Sequence, residues 1–327
     1  MLDELLRIKD LKVEFPTKKS KNVAVDGVDI TIYKGEIFGI VGESGCGKSM
    51  TSLSVLRLIS SPGEITSGEI WYDGQNILAL SEKDLQQNIR GNKIAMIFQE
   101  PMTSLNPLIT IGEQIMEPLR LHQKLSRSDA KKKAVSMLHQ VGIPLAEKRF
   151  HEYPHTLSGG MRQRVMIAIA MCCQPQLLIA DEPTTALDVT IQAQILKLMK
   201  QLRAEEGTSI LLISHDLGVI ANMCDRVAVM YCGKVVEQGS TWDIMNNPQH
   251  PYTKGLMGAM PKIGKNAKLL YNIPGTVPQN HGNISGCRFA ERCEYCTEIC
   301  LKSPPPSQLI GTDHFICCHH AGGVYNG

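Results

Sequence analysis

Residues 42–49 read GESGCGKS, and this stretch decides which fold the sequence specifies. It follows the apolar run EIFGIV, residues 36–41, which is typical of a buried strand, and it leads into MTSLSVLRLI, whose leucines have helical spacing. A strand, a glycine-rich turn and a helix form the context in which the pattern GxxxxGK[ST] binds phosphate, and this context disfavours an ordinary flexible turn. The sequence therefore predicts a site for a nucleoside triphosphate.

The residue types in this loop suit the chemistry of phosphate binding. Gly42 and Gly47 permit backbone torsions that let successive N–H groups curl around phosphate oxygens, and the following helix adds the positive end of its dipole. Lys48 is predicted to reach the β and γ phosphates, while the Ser49 hydroxyl holds Mg²⁺. The predicted nucleotide-binding residues of this segment are Gly42, Ser44, Gly45, Cys46, Gly47, Lys48, Ser49 and Met50.

Length and composition restrict the class of protein. The 327 residues suffice for a sizeable core and favour two domains. The net charge of +2 argues against a broad nucleic-acid surface, so no nucleic-acid partner is expected. The start, MLDELLRIKDLKVEF, mixes charged with apolar residues and is not a signal peptide. The longest apolar run, VMIAIAMCC, is too short to span a bilayer, so a membrane role has to come through a partner.

Strand patterns alternate with helical ones along most of the chain. Strands are predicted in LRIKDLKVEF, VDITIY, EIFGIV, the pair SGEIWYDG and QNILAL, KIAMIFQEP, QLLIAD, TSILLIS and RVAVMYCG. Residues from about 104 to 173 have a helical pattern, and prolines and cysteines become frequent after residue 243. We predict an α/β fold in which helices cover both faces of a parallel sheet, with a helical insertion and an irregular C-terminal module.

Polar side chains follow several of the predicted strands. Asp181 is the last residue of QLLIAD, and Glu182 follows it directly. Gln99 follows KIAMIF, and His215 follows TSILLIS. Because ligands of such sheets bind beyond the carboxyl ends of the strands, these groups are expected near the phosphates. Asp181 is predicted to hold Mg²⁺, directly or through water, and Gln99 to coordinate Mg²⁺ or to position water. Glu182 is predicted to act as general base on water, and His215 to contact the γ phosphate. Taken singly, each is also compatible with a surface turn or a helix cap.

A second candidate anion site lies at residues 157–171, LSGGMRQRVMIAIAM. Ser158, Gly159 and Gly160 stand immediately before a strong helical pattern, where backbone N–H groups favour an anion. The segment belongs to the helical insertion, and one chain need not bring it to its own phosphate loop.

Taken in order, these motifs resemble those of the ABC transporter ATPases over about residues 5–243. GESGCGKS resembles the Walker A loop, Gln99 the Q-loop, LSGGM the signature, LLIADE the Walker B strand, TTALD the D-loop, and His215 the switch histidine. The resemblance implies a P-loop cassette in residues 1–243, with a mixed sheet core and a helical subdomain at about 104–173. A small irregular Cys-rich C-terminal domain, residues 244–327, would follow.

The resemblance also implies a head-to-tail pair of cassettes that encloses two ATP molecules. Ser158, Gly159 and Gly160 of one subunit would cap the phosphates held by the other, and Asp188 would link the two sites. Phe15 resembles the aromatic residue that stacks on adenine, and a role in the core fits it nearly as well. Cys46 and Met161 depart from the family's commonest residues, but neither change removes a donor to phosphate.

The end of the chain carries a second resemblance. HPYTKGL, residues 250–256, and IPGTVP, residues 273–278, are similar to the C-terminal extension of bacterial peptide-importer ATPases, a group that also handles nickel. Eleven cysteines in a chain without an export signal are not expected to form disulfides. Their spacing alone leaves zinc, an iron-sulfur cluster and idle thiols open. The resemblance implies a [4Fe-4S] site at Cys287, Cys293, Cys300 and Cys318, with Cys296 and Cys317 as additional thiols.

These observations predict the ATP-hydrolysing subunit of a bacterial importer for dipeptides or oligopeptides. The implied partners are a second ATPase subunit, identical or homologous, two membrane-spanning permease subunits and, indirectly, an external peptide-binding protein. The segment EPMTSLNPLITIGEQI, residues 100–115, would dock on the permease at the cytoplasmic face of the membrane. The alternatives are a nickel importer and a soluble ABC ATPase, which usually has tandem cassettes or long coiled coils; a P-loop kinase would have no use for LSGGM.

Overall fold

The structure, a computed structural model, describes residues 3–16, 21–99, 104–185, 187–260, 272–278, 282 and 284–321. The chain divides into two compact units. Unit 1 comprises Met1–Leu5, Ile32–Glu36 and Asn76–Ile213, and unit 2 comprises Leu6–Thr31, Ile37–Gln75 and Ser214–Gly327. In the described ranges no helix combines the length and the apolar character needed to cross a bilayer.

Strands and helices alternate as the sequence pattern predicts. The strands are β1 (Glu4–Pro16), β2 (Lys21–Tyr33), β3 (Ile37–Val41), β4 (Glu64–Tyr72), β5 (Gln75–Asn76), β6 (Ile94–Ile97), β7 (Leu177–Asp181), β8 (Ser209–Ser214), β9 (Arg226–Tyr231), β10 (Lys234–Ser240), β11 (Ser307–Gly311) and β12 (His314–Cys317). The helices are α1 (Lys48–Val55), α2 (Glu82–Asp84), α3 (Ile111–His122), α4 (Arg127–Gln140), α5 (Ala146–Arg149), α6 (Gly159–Met171), α7 (Val189–Glu206), α8 (Leu217–Met223), α9 (Thr241–Asn246), α10 (Pro251–Ala259) and α11 (Glu298–Lys302).

Unit 1 contains three neighbouring parallel strands. β6 pairs with β7, and β7 pairs with β8, with Asp181 opposite Ile213. Every residue of β7 and β8 is buried, as expected for parallel strands covered on both faces. The predicted helical insertion is present as α3 to α6, and a Cβ at Gly112 of α3 would lie 2.4 Å from the ring of Phe150. This close packing explains a glycine inside a helix.

Unit 2 combines parallel and antiparallel pairing. β3 runs parallel to β9, with Phe38 opposite Arg226, while β9 pairs with β10 in antiparallel fashion. β1 pairs antiparallel with β4, with Leu6 opposite Tyr72. The mixed pairing agrees with the cassette implied by the motif order, and it corrects the simpler expectation of a parallel sheet drawn from strand and helix alternation.

Two further features differ from the sequence interpretation. Only Gln75 and Asn76 of the predicted strand QNILAL form a strand, because the Asn76 side chain accepts the N–H of Leu78 and turns Ile77–Ala79 into a 3₁₀ helix. The C-terminal segment is also more regular than expected. β12 pairs with β10, and β11 pairs with β12, so the last strands extend the pairing that begins at β9.

Candidate functional site

The phosphate loop (residues 42–49) connects β3 to α1 in unit 2. A Cβ at Gly42 would lie 2.2 Å from the carbonyl oxygen of Met230, and one at Gly47 would lie 2.5 Å from that of Ala24. Gly47 also has φ +103°, a conformation that side chains rarely adopt. The two glycines are therefore required by the close approach of other backbone segments, independently of any ligand.

Lys48 lies across the phosphate loop. It is only 5% exposed, and its Nζ donates to the carbonyl oxygens of Gly42 and Glu43 at 2.8 and 3.1 Å. The same Nζ lies 3.8 Å from Cys46 Sγ, a thiol whose pKa burial raises, so that it stays neutral and does not compete for the ammonium. The arrangement holds one cation at the start of α1, where the helix dipole also favours an anion.

Side chains from the C-terminal region hold Glu43, the second residue of the phosphate loop. The carboxylate accepts from Arg292 Nη1 and Nη2 at 2.9 and 3.2 Å, and the Glu43 N–H donates to the Tyr252 hydroxyl at 2.9 Å. Sequence reasoning missed both partners. The only available signal was their position beside motifs already singled out, Tyr252 in HPYTKGL and Arg292 next to Cys293.

Glu182 stands at a strained corner of unit 1, immediately after β7. Its φ is +47°, and its N–H donates to the Ile213 carbonyl at 3.0 Å. Its Oε2 accepts from Gln99 Nε2 at 3.0 Å and from the Thr185 hydroxyl at 2.9 Å. We call these three residues, Gln99, Glu182 and Thr185, the catalytic corner, after the role predicted for Glu182. The structure thus brings two predicted residues together and adds Thr185, whose only sequence signal was its place in TTALD.

Oxygen donors suited to Mg²⁺ lie at the ends of two neighbouring strands in unit 1. Asp181, the last residue of β7, is only 4% exposed, and Gln99 follows β6, the next strand. Carboxylate and amide oxygens are the ligands that Mg²⁺ prefers, so this donor set fits the ion. Ser49, the other predicted ligand, is the second residue of α1 in unit 2.

The residues of the LSGGM and TTALD motifs begin helices in unit 1. Ser158 caps α6 by accepting from the Met161 N–H at 3.4 Å, and Asp188 caps α7 by accepting from the Ile191 N–H at 2.9 Å. A Cβ at Gly160 would lie 2.8 Å from Ile191 Cγ2, so the small residue allows close packing. These side chains thus have local structural roles; their action across a cassette pair stays a prediction.

Phe15 and His215 occupy separate places in unit 2. The Phe15 ring packs on Gly63, since a Cβ there would lie 2.5 Å from Phe15 Cε1. His215 is exposed and lies between β8 and Asp216, the residue that caps α8. The adenine and γ-phosphate contacts of these two residues stay predictions.

All eleven cysteines are free thiols. In the cysteine segment (residues 284–321), burial, with smaller contributions from Cys300, Cys318 and Cys293, raises the pKa of Cys287 to about 12. Burial likewise raises the pKa of Cys293 to about 11, with contributions from Cys318, Cys296 and Cys300. The thiols of the predicted cluster therefore contribute to one another's pKa.

The additional thiols differ in their surroundings. Burial raises the pKa of Cys317, which is also influenced by Ser307, Lys234 and Asp29. Burial likewise raises the pKa of Cys296, and Cys300 contributes to the same shift. His320 contacts the same region, with its Nε2 3.6 Å from Cys300 Sγ. Within the described residues, no three or more Cys, His, Asp or Glu side chains are already arranged to hold a metal ion.

Comparison with known proteins identifies the family. The family model "ABC transporter" matches residues 25–185, and the model "Oligopeptide/dipeptide transporter, C-terminal region" matches residues 236–300. The chain is 48% identical over 327 residues to the probable peptide ABC transporter ATP-binding protein y4tR of Sinorhizobium fredii. This alignment covers 99% of the chain and 97% of that protein. The chain belongs to the ABC transporter ATP-binding proteins.

Other relatives place this ABC ATPase more closely. It is 50% identical to the oligopeptide transport ATP-binding protein OppD of Bacillus subtilis, over 95% of this chain and 87% of that protein. Among solved structures, the dimeric post-hydrolysis state of the ATP-binding cassette MJ0796, bound to ADP and Pi, matches with a TM-score of 0.66 and 29% identity. That match covers 72% of this chain and 99% of the other. The subunit is thus an ATPase of the oligopeptide/dipeptide transporter type.

Proposed function

We propose that this ABC ATPase hydrolyses ATP to drive the import of dipeptides or oligopeptides. The observation that carries the proposal is the match of both parts of the chain, residues 25–185 to the ABC transporter model and residues 236–300 to the oligopeptide/dipeptide transporter C-terminal region. Relatives named as peptide, oligopeptide and dipeptide transport proteins, each covering nearly the whole chain, support the same cargo class.

In this mechanism the phosphate loop binds the nucleotide, and the catalytic corner activates the attacking water. Lys48 and the N–H groups at the start of α1 neutralise the phosphates. The Glu182 carboxylate accepts a proton from water, while Gln99 and Thr185 fix its orientation through their hydrogen bonds to Oε2. Asp181, Ser49 and Gln99 are the proposed Mg²⁺ ligands, and the ion would supply positive charge against the charge that develops during phosphoryl transfer.

The working unit in this proposal is a pair of cassettes on two permease subunits at the cytoplasmic face of the membrane, with an external peptide-binding protein supplying the cargo. The dimeric state of the MJ0796 cassette supports pairing. Leu108 is 84% and Ile109 is 38% exposed, and these apolar side chains in the segment 100–115 suit the permease contact. Residues 100–103 of that segment lie outside the described residues.

Transport in proteoliposomes tests the proposed cargo. The chain would be reconstituted with its partner ATPase, its permease subunits and the binding protein, and the uptake of a labelled oligopeptide would be followed with and without ATP. We expect ATP-dependent uptake that a complex carrying Glu182→Gln does not support. Hydrolysis that is stimulated by nickel and indifferent to peptide would contradict the peptide assignment.

The cysteine segment is proposed to bind a [4Fe-4S] cluster through Cys287, Cys293, Cys300 and Cys318. Two observations support this ligand set: other thiols of the set contribute to the raised pKa of Cys287, Cys293 and Cys318, and Cys300 and Cys318 are only 6% and 7% exposed. The pKa of Cys317 is raised by burial and is otherwise influenced by Ser307, Lys234 and Asp29, so we propose Cys318 and not Cys317 as the ligand. The regular elements of the cysteine segment are short, and a bound cluster would cross-link them and so stabilise the fold of the segment. Zinc held partly by His320 is the alternative that the same test addresses.

Iron and acid-labile sulfide analysis on protein purified without oxygen tests the cluster. About four irons and four sulfides per chain are expected, together with their loss in Cys300→Ser. Cys317→Ser is the matched control, because it removes a thiol of the same segment outside the proposed set, and its iron content should stay unchanged. Zinc, or no metal, in the unmodified chain would reject the cluster and leave the ATPase function intact.

A further inference from the structure

Glu43 is held at every polar group it carries. Its carboxylate accepts from Arg292, its N–H donates to the Tyr252 hydroxyl, and its carbonyl oxygen accepts from Lys48 Nζ and from the Cys46 N–H. The last two bonds lie within the phosphate loop, whereas the first two come from the C-terminal region of unit 2. The position of the loop therefore depends on residues remote in sequence.

Arg292 is itself fixed from several sides. Its side chain is 6% exposed, its Nε donates to the Pro274 carbonyl at 2.9 Å, and its Nη1 donates to the Tyr231 hydroxyl at 3.2 Å. The guanidinium carbon lies 5.7 Å from the ring centre of Tyr231 and 5.9 Å from that of Phe289, within the range of cation–π attraction. Because the guanidinium is already held this way, its side chain loses little further conformational entropy when two of its N–H groups bind the Glu43 carboxylate.

Tyr252 belongs to the same rigid neighbourhood. Its ring centre lies 4.7 Å from that of Tyr231 and 5.4 Å from that of Phe289, and the residue is fully buried. Three aromatic rings from β9, α10 and the cysteine segment thus pack together beside the ion pair of Arg292 and Glu43. This cluster ties the cysteine segment to the first half of the phosphate loop.

A second arginine supports the other half of the loop. Arg288 donates to the Cys232 carbonyl oxygen and to the Asp26 carboxylate. The next residue after Cys232, Gly233, donates its N–H to the Cys46 carbonyl at 2.9 Å and accepts the N–H of Asp26 at 2.8 Å. Arg288 follows Cys287 directly, and Arg292 precedes Cys293. Each arginine is therefore adjacent in sequence to a thiol of the cysteine segment.

We propose that Arg292 is a positioning residue for nucleotide binding, acting through Glu43 to hold the phosphate loop in its binding conformation. The inference rests on the proposed function, because it assumes that the loop binds ATP. A loop that is already ordered loses less conformational entropy on binding. The ion pair of Arg292 and Glu43, called the brace below, therefore raises affinity without touching the nucleotide. It also makes the affinity of the loop sensitive to the structure of the cysteine segment.

A double-mutant cycle on nucleotide affinity tests the brace. Glu43→Gln, Arg292→Gln and the double variant would be titrated with a fluorescent ATP analogue in the full chain. We expect each single variant to bind roughly tenfold more weakly, and the double variant to bind no more weakly than Arg292→Gln alone. Arg292→Lys should recover part of the affinity, because it keeps the charge but loses the bidentate fork.

Two comparisons separate positioning from general stability. Asp313→Asn breaks the ion pair of Arg226 and Asp313, 2.8 Å long, in the same region of unit 2 but away from the phosphate loop, and should leave affinity unchanged. The midpoint of thermal unfolding would also be measured for every variant. If Arg292 acts by positioning the loop, the order of these midpoints should differ from the order of the nucleotide affinities. Glu43→Gln also serves if Arg292→Gln does not fold, since Glu43 is only half-buried.

The outcomes distinguish this inference from the proposed function. Unchanged affinity in both single variants, or effects that multiply in the double variant, would overturn the brace while the unmodified chain still binds nucleotide. If the unmodified chain does not bind nucleotide, the proposed function fails and the inference fails with it.

Discussion

The phosphate loop and the catalytic corner are held in opposite ways. Glu43 is fixed by Tyr252 and Arg292, which stand 209 and 249 positions further along the chain. Glu182 is fixed by Thr185, three positions away, and by Gln99 at the end of the adjacent strand β6. The proposed nucleotide-binding half therefore depends on distant parts of unit 2, whereas the proposed hydrolytic half is built from neighbouring residues and strand ends in unit 1.

This difference predicts that binding and hydrolysis respond to different substitutions. Changes in the C-terminal region should alter affinity for nucleotide, because they loosen the phosphate loop. Changes at the catalytic corner should alter the rate of hydrolysis, because they misorient one carboxylate. Both halves contain a glutamate that is fixed by hydrogen bonds. The halves differ in the proposed role of that residue, because Glu43 holds the phosphate loop whereas Glu182 accepts a proton from water.

The largest effect on nucleotide affinity is expected from a side chain at Gly47 of the phosphate loop. In Gly47→Ala the new Cβ meets the Ala24 carbonyl oxygen at a φ of +103°, so the loop has to shift. We expect a loss of about 3 kcal/mol, which is a fall of more than roughly 100-fold in nucleotide affinity. Gly45→Ala is the matched control, because a Cβ there meets nothing within 4 Å, and its cost should be only about 1 kcal/mol. Equal affinities in the two variants would contradict this account of the loop.

Acid should weaken the side of unit 2 that braces the phosphate loop. Burial lowers the pKa of His250 to about 4, and the ring Nδ1 accepts the N–H of Tyr252. Between pH 6.5 and 4 the unfolded chain binds a proton at this residue that the folded chain does not bind, so the free energy of unfolding falls as the pH falls. The expected loss is about 3 kcal/mol over this window.

Urea unfolding at pH 7 and at pH 4.5 measures this loss, with His250→Asn as the control. Asparagine can still cap α10 but does not titrate, so the variant should lose about 2 kcal/mol less than the unmodified chain between the two pH values. Identical pH dependence in the two proteins would show that His250 does not carry the effect.

A smaller effect is expected at Thr185, which orients Glu182. Thr185→Ala removes one hydrogen bond to the carboxylate, so kcat should fall about tenfold while the affinity for ATP stays unchanged. Thr185→Ser keeps the hydroxyl and should restore most of the rate. A rise in KM with unchanged kcat would indicate that Thr185 acts in nucleotide binding. That result would contradict the assignment of the catalytic corner to hydrolysis alone.

Sequence reasoning succeeded where the signal is local. The strand, glycine turn and helix around Lys48 appear as predicted, and Asp181 and Gln99 lie at the ends of adjacent parallel strands. The contact of Gln99 with Glu182 follows from that placement, since parallel strands end at the same edge of a sheet.

Features that depend on long-range contacts were not predictable from one sequence. Neither Arg292 nor Tyr252 carries a local pattern that points to Glu43, because side-chain pairing across more than 200 positions leaves no periodicity. The pairing of β12 with β10 was missed for the same reason. In QNILAL, the Asn76 side chain captured a backbone N–H and replaced the expected strand with a 3₁₀ turn.

The most direct test of the two-part account is the turnover of Glu182→Gln, measured together with its affinity for ATP on the same preparation. The amide keeps the shape of the side chain but does not accept a proton from water. We predict that kcat falls by roughly 10²–10³-fold while ATP binds as tightly as in the unmodified chain. Unchanged turnover would contradict the role of Glu182 as base, and a parallel loss of affinity would contradict the separation of binding from hydrolysis.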